Sequence, residues 1–76
     1  MNGEMLSRRL PIVPTNAGTL VLGLRRRFAM TQEHFAREID VTVSTINRWE
    51  RGQSRPSRLA WPLVVALAKA RGVPGW

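Results

Sequence analysis

The sequence contains no cysteine and a single histidine, His34. Without cysteine there is neither a disulfide framework nor a thiolate metal site, and one imidazole alone does not make a zinc site. No metal and no cofactor are therefore expected. No apolar run approaches the ~20 residues that span a bilayer. The apolar piece at 10–13, behind Arg8 and Arg9, is too brief for the core of a secretory signal, and no small-residue cleavage site follows it. A cytoplasmic protein with no membrane partner is the expectation. Acidic residues are scarce too, five against twelve cations, which leaves a net charge of +7.

What is present is arginine, which supplies eleven of those twelve cations. Its planar fork suits phosphates and guanine edges, and it stays charged at any biological pH. Such a balance in a short chain points to a polyanionic partner, although basic surfaces also serve membranes and acidic proteins. The 76 residues allow one domain with one small core. At this size a partner chain or ligand often contributes to stability.

Residues 1–14 carry Pro11 and Pro14 and no helical periodicity, so they read as an extended arm. Residues 15–76 form the domain proper. Thr15 or Asn16 can cap a first helix, in which Leu20, Leu24 and Phe28 mark the buried face, widened by Val21 and Leu22. Thr31 is a good N-cap for a second helix, with Glu33 at its positive end and Phe35, Ala36 and Ile39 facing inward. Asp40 stands at a sharp turn and tolerates the left-handed conformation. Thr42 then caps a third helix over 43–51, stopped by Gly52. For the last helix, Ser57 can act as the cap with Pro62 inside. The preferred reading is a loose turn over 57–61 with Pro62 in the first helical position. Leu63, Val64, Leu67 and Ala70 would give its apolar face, and Gly72 and Pro74 would end it. With no strand candidate beyond the arm and no internal repeat, the fold class is all-α: a compact bundle of four short helices.

The third helix carries the functional signal. At ~100° per residue from Val43, Ile46 and Trp49 fall near ~300° and ~240° and must face inward. Val43, Asn47, Ser44 and Arg48 fall between ~0° and ~140°, nearly opposite. Arg48 can bind guanine O6 and N7 with two hydrogen bonds, Asn47 can pair similarly with adenine, and Val43 can touch a thymine methyl. Ser44 could serve a base or a phosphate. An ordinary solvated helix face looks much the same. The surroundings favour the first reading. Gln32 stands at an open helix end before it, and the loop from Arg51 to Arg58 behind it is rich in groups that hold phosphate oxygens. Two helices joined by a short turn form a helix-turn-helix.

Several anchored positions agree with a known pattern at fixed spacing. Leu24-Arg25, then Thr31-Gln32-Glu33 with Phe35-Ala36, then Val41, Ser44-Thr45-Ile46, Trp49-Glu50 and Gly52, with Pro56 after them, resemble the lambda-repressor-like (Cro/cI, xenobiotic-response-element type) helix-turn-helix domains. The resemblance covers roughly residues 17–72. It implies a compact bundle of four or five helices (a fifth being vestigial here), binding to double-stranded DNA and usually a homodimer. It implies base-reading roles for Val43, Ser44 and Arg48, with Asn47 beside them. Gln32 would clamp a phosphate and brace the start of the recognition helix. Arg25 and Glu50 would form a partly buried ion pair, unless Arg25 contacts phosphate instead. The phosphate-contacting set is then Gln32, Thr45, Arg51, Gln53, Arg55 and Arg58. Three departures stand out: Asp40 replaces the usual turn glycine, Ala29 stands where a glycine commonly ends the first helix, and the chain stops at Trp76, short of a full fifth helix. Ala29 predicts a blunter corner.

His34 reads as a surface residue, and no acid, base or ligand stands at a spacing that would complete a catalytic site, so no enzyme is expected. Trp61, Val65 and Trp76 are the expected dimer interface, the alternative being that the two tryptophans fold back on the small core. Arg8 and Arg9 read as a tail, or as an arm that follows the DNA. The expected protein is a cytoplasmic, nucleoid-associated transcription regulator, a dimeric repressor of its own operon on an inverted repeat. The other reading is an antitoxin-like module that binds DNA and a protein partner such as a toxin. RNA binding is weaker, because a stacking platform of aromatics is missing.

Overall fold

A computed structural model describes residues 12–76. The expected arm therefore lies outside the described residues for positions 1–11, Arg8 and Arg9 included. Among the described residues there are four helices and no strand: α1 (Ala17–Arg27), α2 (Gln32–Glu38), α3 (Val43–Glu50) and α4 (Trp61–Ala70).

All four helices end in one way. The amide two positions past the C-cap returns to the carbonyl five residues back, as in Met30 to Arg25, Val41 to Ala36, Gln53 to Arg48 and Val73 to Ala68. This pattern requires a left-handed residue between C-cap and donor. Gly52 and Gly72 supply it at no steric cost, with φ of 73° and 70°. Asp40 and Ala29 supply it with a Cβ, at φ 58° and 54°. The corner after α1 is thus as sharp as a glycine would make it, contrary to expectation. Alanine holds it at a cost of about 1 kcal/mol, offset by the packing of Phe28 and Met30 on either side.

Thr31 and Thr42 cap as expected: the Thr31 hydroxyl accepts from the His34 amide at 3.0 Å, and that of Thr42 from the Thr45 amide at 3.1 Å. Asn16 occupies the N-cap of α1, but its side chain makes no capping bond. The Pro14 carbonyl instead accepts from the Ala17 amide at 3.1 Å, closing a turn ahead of the helix.

The core is built from Ala17, Val21 and Leu24 of α1, Met30, Phe35, Ala36 and Ile39 around α2, Ile46 and Trp49 of α3, and Trp61, Val64 and Ala68 of α4. Two expected faces are shifted. In α1, a four-residue repeat drifts ~40° per step around the helix, so Leu20, Leu24 and Phe28 do not share one line. The buried line runs through Ala17, Val21 and Leu24, and Leu20 and Phe28 are half-buried at its rim. In α4, Trp61, Val64 and Ala68 point inward, Leu67 is half-buried, and Leu63 and Ala70 are exposed. That helix has one charged residue, Lys69, and so no polar face to fix its phase.

α4 begins one residue ahead of Pro62, which sits in its first turn, where a missing amide is harmless. Ser57 contributes as well: its hydroxyl accepts from the Ala60 amide at 3.0 Å and closes the preceding turn. Among the described residues no fifth helix follows. Residues 73–76 turn back on the domain, and the Trp76 ring meets Trp61 at 5.8 Å between centroids. Trp61, expected at a dimer interface with Val65 and Trp76, is 4% exposed and packs in the chain's own core. Those two are half-buried against the same core.

Candidate nucleic-acid interface

α3 is seated by Ile46, fully buried, and by Trp49, 4% exposed. The backbone at Trp49 meets α1 directly. A methyl group at Gly18 would overlap the Trp49 carbonyl, so the close crossing of these helices depends on glycine there. Gly18 is inconspicuous in the sequence. A glycine one residue into a helix is the only signal it gives, and its reason is a tertiary contact.

On the far side of α3 the side chains are open. Val43 is 42% exposed, Ser44 and Arg48 are exposed, and Asn47 is half-buried. The helix thus offers one short apolar group, one hydroxyl, one amide and one long cation on a firmly anchored backbone. Among the described residues Arg48, Arg51 and Arg55 make no ion pair, so their donors face solvent. Thr45 is half-buried, and its hydroxyl lies 2.8 Å from that of Thr42. Each hydroxyl has one proton. Thr45 can give its own to a phosphate only while Thr42 donates across the pair.

Behind this face lies a three-residue network. Arg25 reaches from α1 to the last residue of α3 as a two-pronged fork, Nε to Glu50 Oε2 at 2.7 Å and Nη2 to Oε1 at 2.8 Å. Its Nη1 also donates to the Met30 carbonyl at 3.2 Å, which ties the corner after α1 into the same group. The Glu50 side chain is only 6% exposed. Burial pushes its carboxyl up, but hydrogen bonds from Arg25 and Gln32 and the charges of Arg25 and Arg26 outweigh it, and the group titrates below its ordinary value. The Arg25 guanidinium is held above its own by the bond to Glu50. With both prongs on Glu50, Arg25 ties α1 to the end of α3.

Gln32 differs from expectation in its partner. Its amide donates to Glu50 Oε1 at 3.1 Å, so it braces the end of α3 rather than the start. The start of α3 presents Val43, whose side chain has no polar atom to receive it. Gln32 and Val43 still share an open cleft of ≈ 490 Å³ with Arg25, Thr31 and Glu33. One amide hydrogen of Gln32 is engaged, and the other remains for an anion approaching that cleft.

Beyond Gly52 the loop is held by Pro56, which is buried, while Gln53, Arg55 and Arg58 are exposed. Arg55, Pro56, Ser57 and Arg58 line a second cleft, ≈ 510 Å³, with Ile12 and Val13. The first described residues of the arm therefore run beside the cationic loop. His34 lies elsewhere, exposed on α2, with Nε2 3.2 Å from Glu38 Oε1. Arg71 approaches Glu38 at 3.7 Å and stacks over Phe28 at 5.0 Å, fastening the end of α4 to α1 and α2.

Among the described residues no group of His, Cys, Asp and Glu could hold a metal ion, and no helix is long and apolar enough to cross a membrane. The Helix-turn-helix family matches residues 24–59, from Leu24 of α1 to Leu59 after the loop. No curated protein and no solved structure matches the chain. The matched stretch holds α2, the Asp40 turn, α3 and the basic loop. Over residues 24–59 the chain is similar to the helix-turn-helix family of the lambda-repressor-like, Cro/cI type, whose members are DNA-binding transcription regulators.

Proposed function

We propose that the protein binds a specific DNA duplex as a homodimer and represses transcription, its own operon included, by occupying an inverted repeat. The observation that carries this is the two-sidedness of α3: Ile46 and Trp49 hold it to the core while Val43, Ser44 and Arg48 stay open to solvent. Inserted into the major groove, Arg48 would bind a guanine, Asn47 an adjacent adenine and Val43 a thymine methyl. Ser44 would reach a base or the nearest phosphate. Gln32, Thr45, Arg51, Gln53, Arg55 and Arg58 would hold the strands on either side and set the depth and tilt of the helix without reading sequence. Two copies would place their α3 helices about one DNA turn apart, roughly 34 Å.

Selection of bound duplexes from a random pool tests the proposal. A dyad-symmetric consensus with half-sites one turn apart is the expected result. Recovery of unrelated sequences, with binding set by salt alone, would contradict it.

A further inference from the structure

α4 and the turn before it are apolar on the outside as well as the inside. Leu59 is 78% exposed and Leu63 47%, and Ala66 and Ala70 are exposed behind them. The Trp61 amide bonds to the Ser57 carbonyl at 2.9 Å, a helical spacing, so the turn continues the path of α4 backward. Measured from Leu59 at ~100° per residue, Leu63, Ala66 and Ala70 lie near ~40°, ~340° and ~20°. Trp61, Val64 and Ala68, the buried residues, lie near ~200°, ~140° and ~180°. The four outer residues thus form one narrow stripe opposite the core, with no charge in it.

Their order along the helix is self-complementary. In an antiparallel pair of α4 helices, Leu59 faces Ala70 of a second copy and Leu63 faces Ala66. Each large side chain then meets a small one, and the same holds when the two chains are exchanged, as a two-fold interface demands. Alanines let the backbones approach closely, and leucines fill the space opposite. Charge favours the same face. Each copy carries +7, so two copies repel over most of their arginine-rich surface. The stripe avoids that repulsion. Arg71 at one end is turned onto Glu38 and Phe28 of its own chain. We infer that the Leu59–Leu63–Ala66–Ala70 stripe is the surface through which two copies of this chain pair, antiparallel along α4. The inference rests on the reading of a paired DNA binder and gives that pair its contact.

Two short helices bury less than the ~1,200 Å² of a stable interface. Pairing is therefore weak in free solution and strong once neighbouring half-sites hold both copies together.

Sedimentation equilibrium of the full chain without DNA is expected to show a monomer–dimer equilibrium at high concentration. Leu63→Arg is expected to remain folded, to sediment as a monomer, and to keep its affinity for a single half-site. On a duplex with two half-sites it loses cooperativity. Ala66→Leu alone sets leucine against leucine and weakens pairing by roughly tenfold or more. The exchange Leu63→Ala with Ala66→Leu restores it, because large still faces small. A monomer at every concentration, undiminished pairing of Leu63→Arg, or an exchange no better than its single changes would each overturn the inference. Self-association without half-site binding supports the pairing and counts against the DNA reading instead.

Discussion

α3 and α4 are of similar length and of opposite legibility. In α3 the apolar residues are few and the rest are polar, so the pattern admits one orientation: Ile46 and Trp49 inside, Arg48 outside. In α4 nine of the ten residues, WPLVVALAKA, carry no charge, and several rotations satisfy the pattern equally well. The expected face, centred on Leu63, Val64, Leu67 and Ala70 together, is roughly 100° from the one the core takes. Polar residues carry the information about phase, because water rather than the core decides where they go. A helix without them is oriented by its neighbours: the Trp61 ring on Trp76, and Val64 and Ala68 against the core.

The comparison can be broken most strongly at α3's support. Gly18→Ala puts a methyl into the Trp49 carbonyl, where backbone cannot move aside cheaply. A destabilisation of about 3 kcal/mol is expected in urea unfolding, with weaker DNA binding by the fraction that stays folded. An ordinary helix-interior glycine would give a small gain on the same change.

On α4 a smaller pair of changes sharpens the contrast between inside and outside. Val64 is fully buried, and Val64→Ala should cost about 2 kcal/mol. Thermal denaturation of dilute Leu63→Ala, a larger truncation by one carbon, should shift by no more than about 0.5 kcal/mol, since Leu63 is exposed in the monomer. Equal costs at the two positions would mean that the phase of α4 is wrong.

The end of α3 responds to acid. Glu50 titrates below its ordinary value in the folded chain, so its contribution to stability is fully present above the unfolded-state value of ~4.3. It disappears as pH falls through the lower folded value. Glu50→Gln keeps the shape but removes the charge, at a cost of roughly 1–2 kcal/mol at neutral pH. Its stability should then fall less than that of the parent between pH 6 and pH 2. Identical acid profiles in urea would separate Glu50 from that acid sensitivity.

Much of the fold and of the candidate site could be read from residue types alone. Thr31 and Thr42 act as caps, Asp40 takes the left-handed corner, and Gly52 stops α3, since each of these roles depends on local backbone chemistry. The pairing of Arg25 with Glu50 is not a local matter. It spans 25 positions and follows from the family pattern rather than from periodicity. Gly18 and the partner of Gln32 are hidden in the sequence for the same physical reason. One depends on how closely two helices cross, the other on the Val43 side chain offering nothing to a hydrogen-bond donor, and neither is visible before the helices are packed.

The central claim is a division of labour between the open face of α3 and the basic loop behind it. Affinities of Arg48→Ala and Arg55→Ala for every single-base variant of a selected duplex, at two salt concentrations, test it most directly. Arg48→Ala should weaken binding by about 1–3 kcal/mol and relax preference at one base pair of each half-site. Arg55→Ala should weaken all variants alike and lower the salt slope by about 0.9 for each phosphate that the side chain no longer neutralises. If both substitutions left base preference intact, α3 would not be reading sequence.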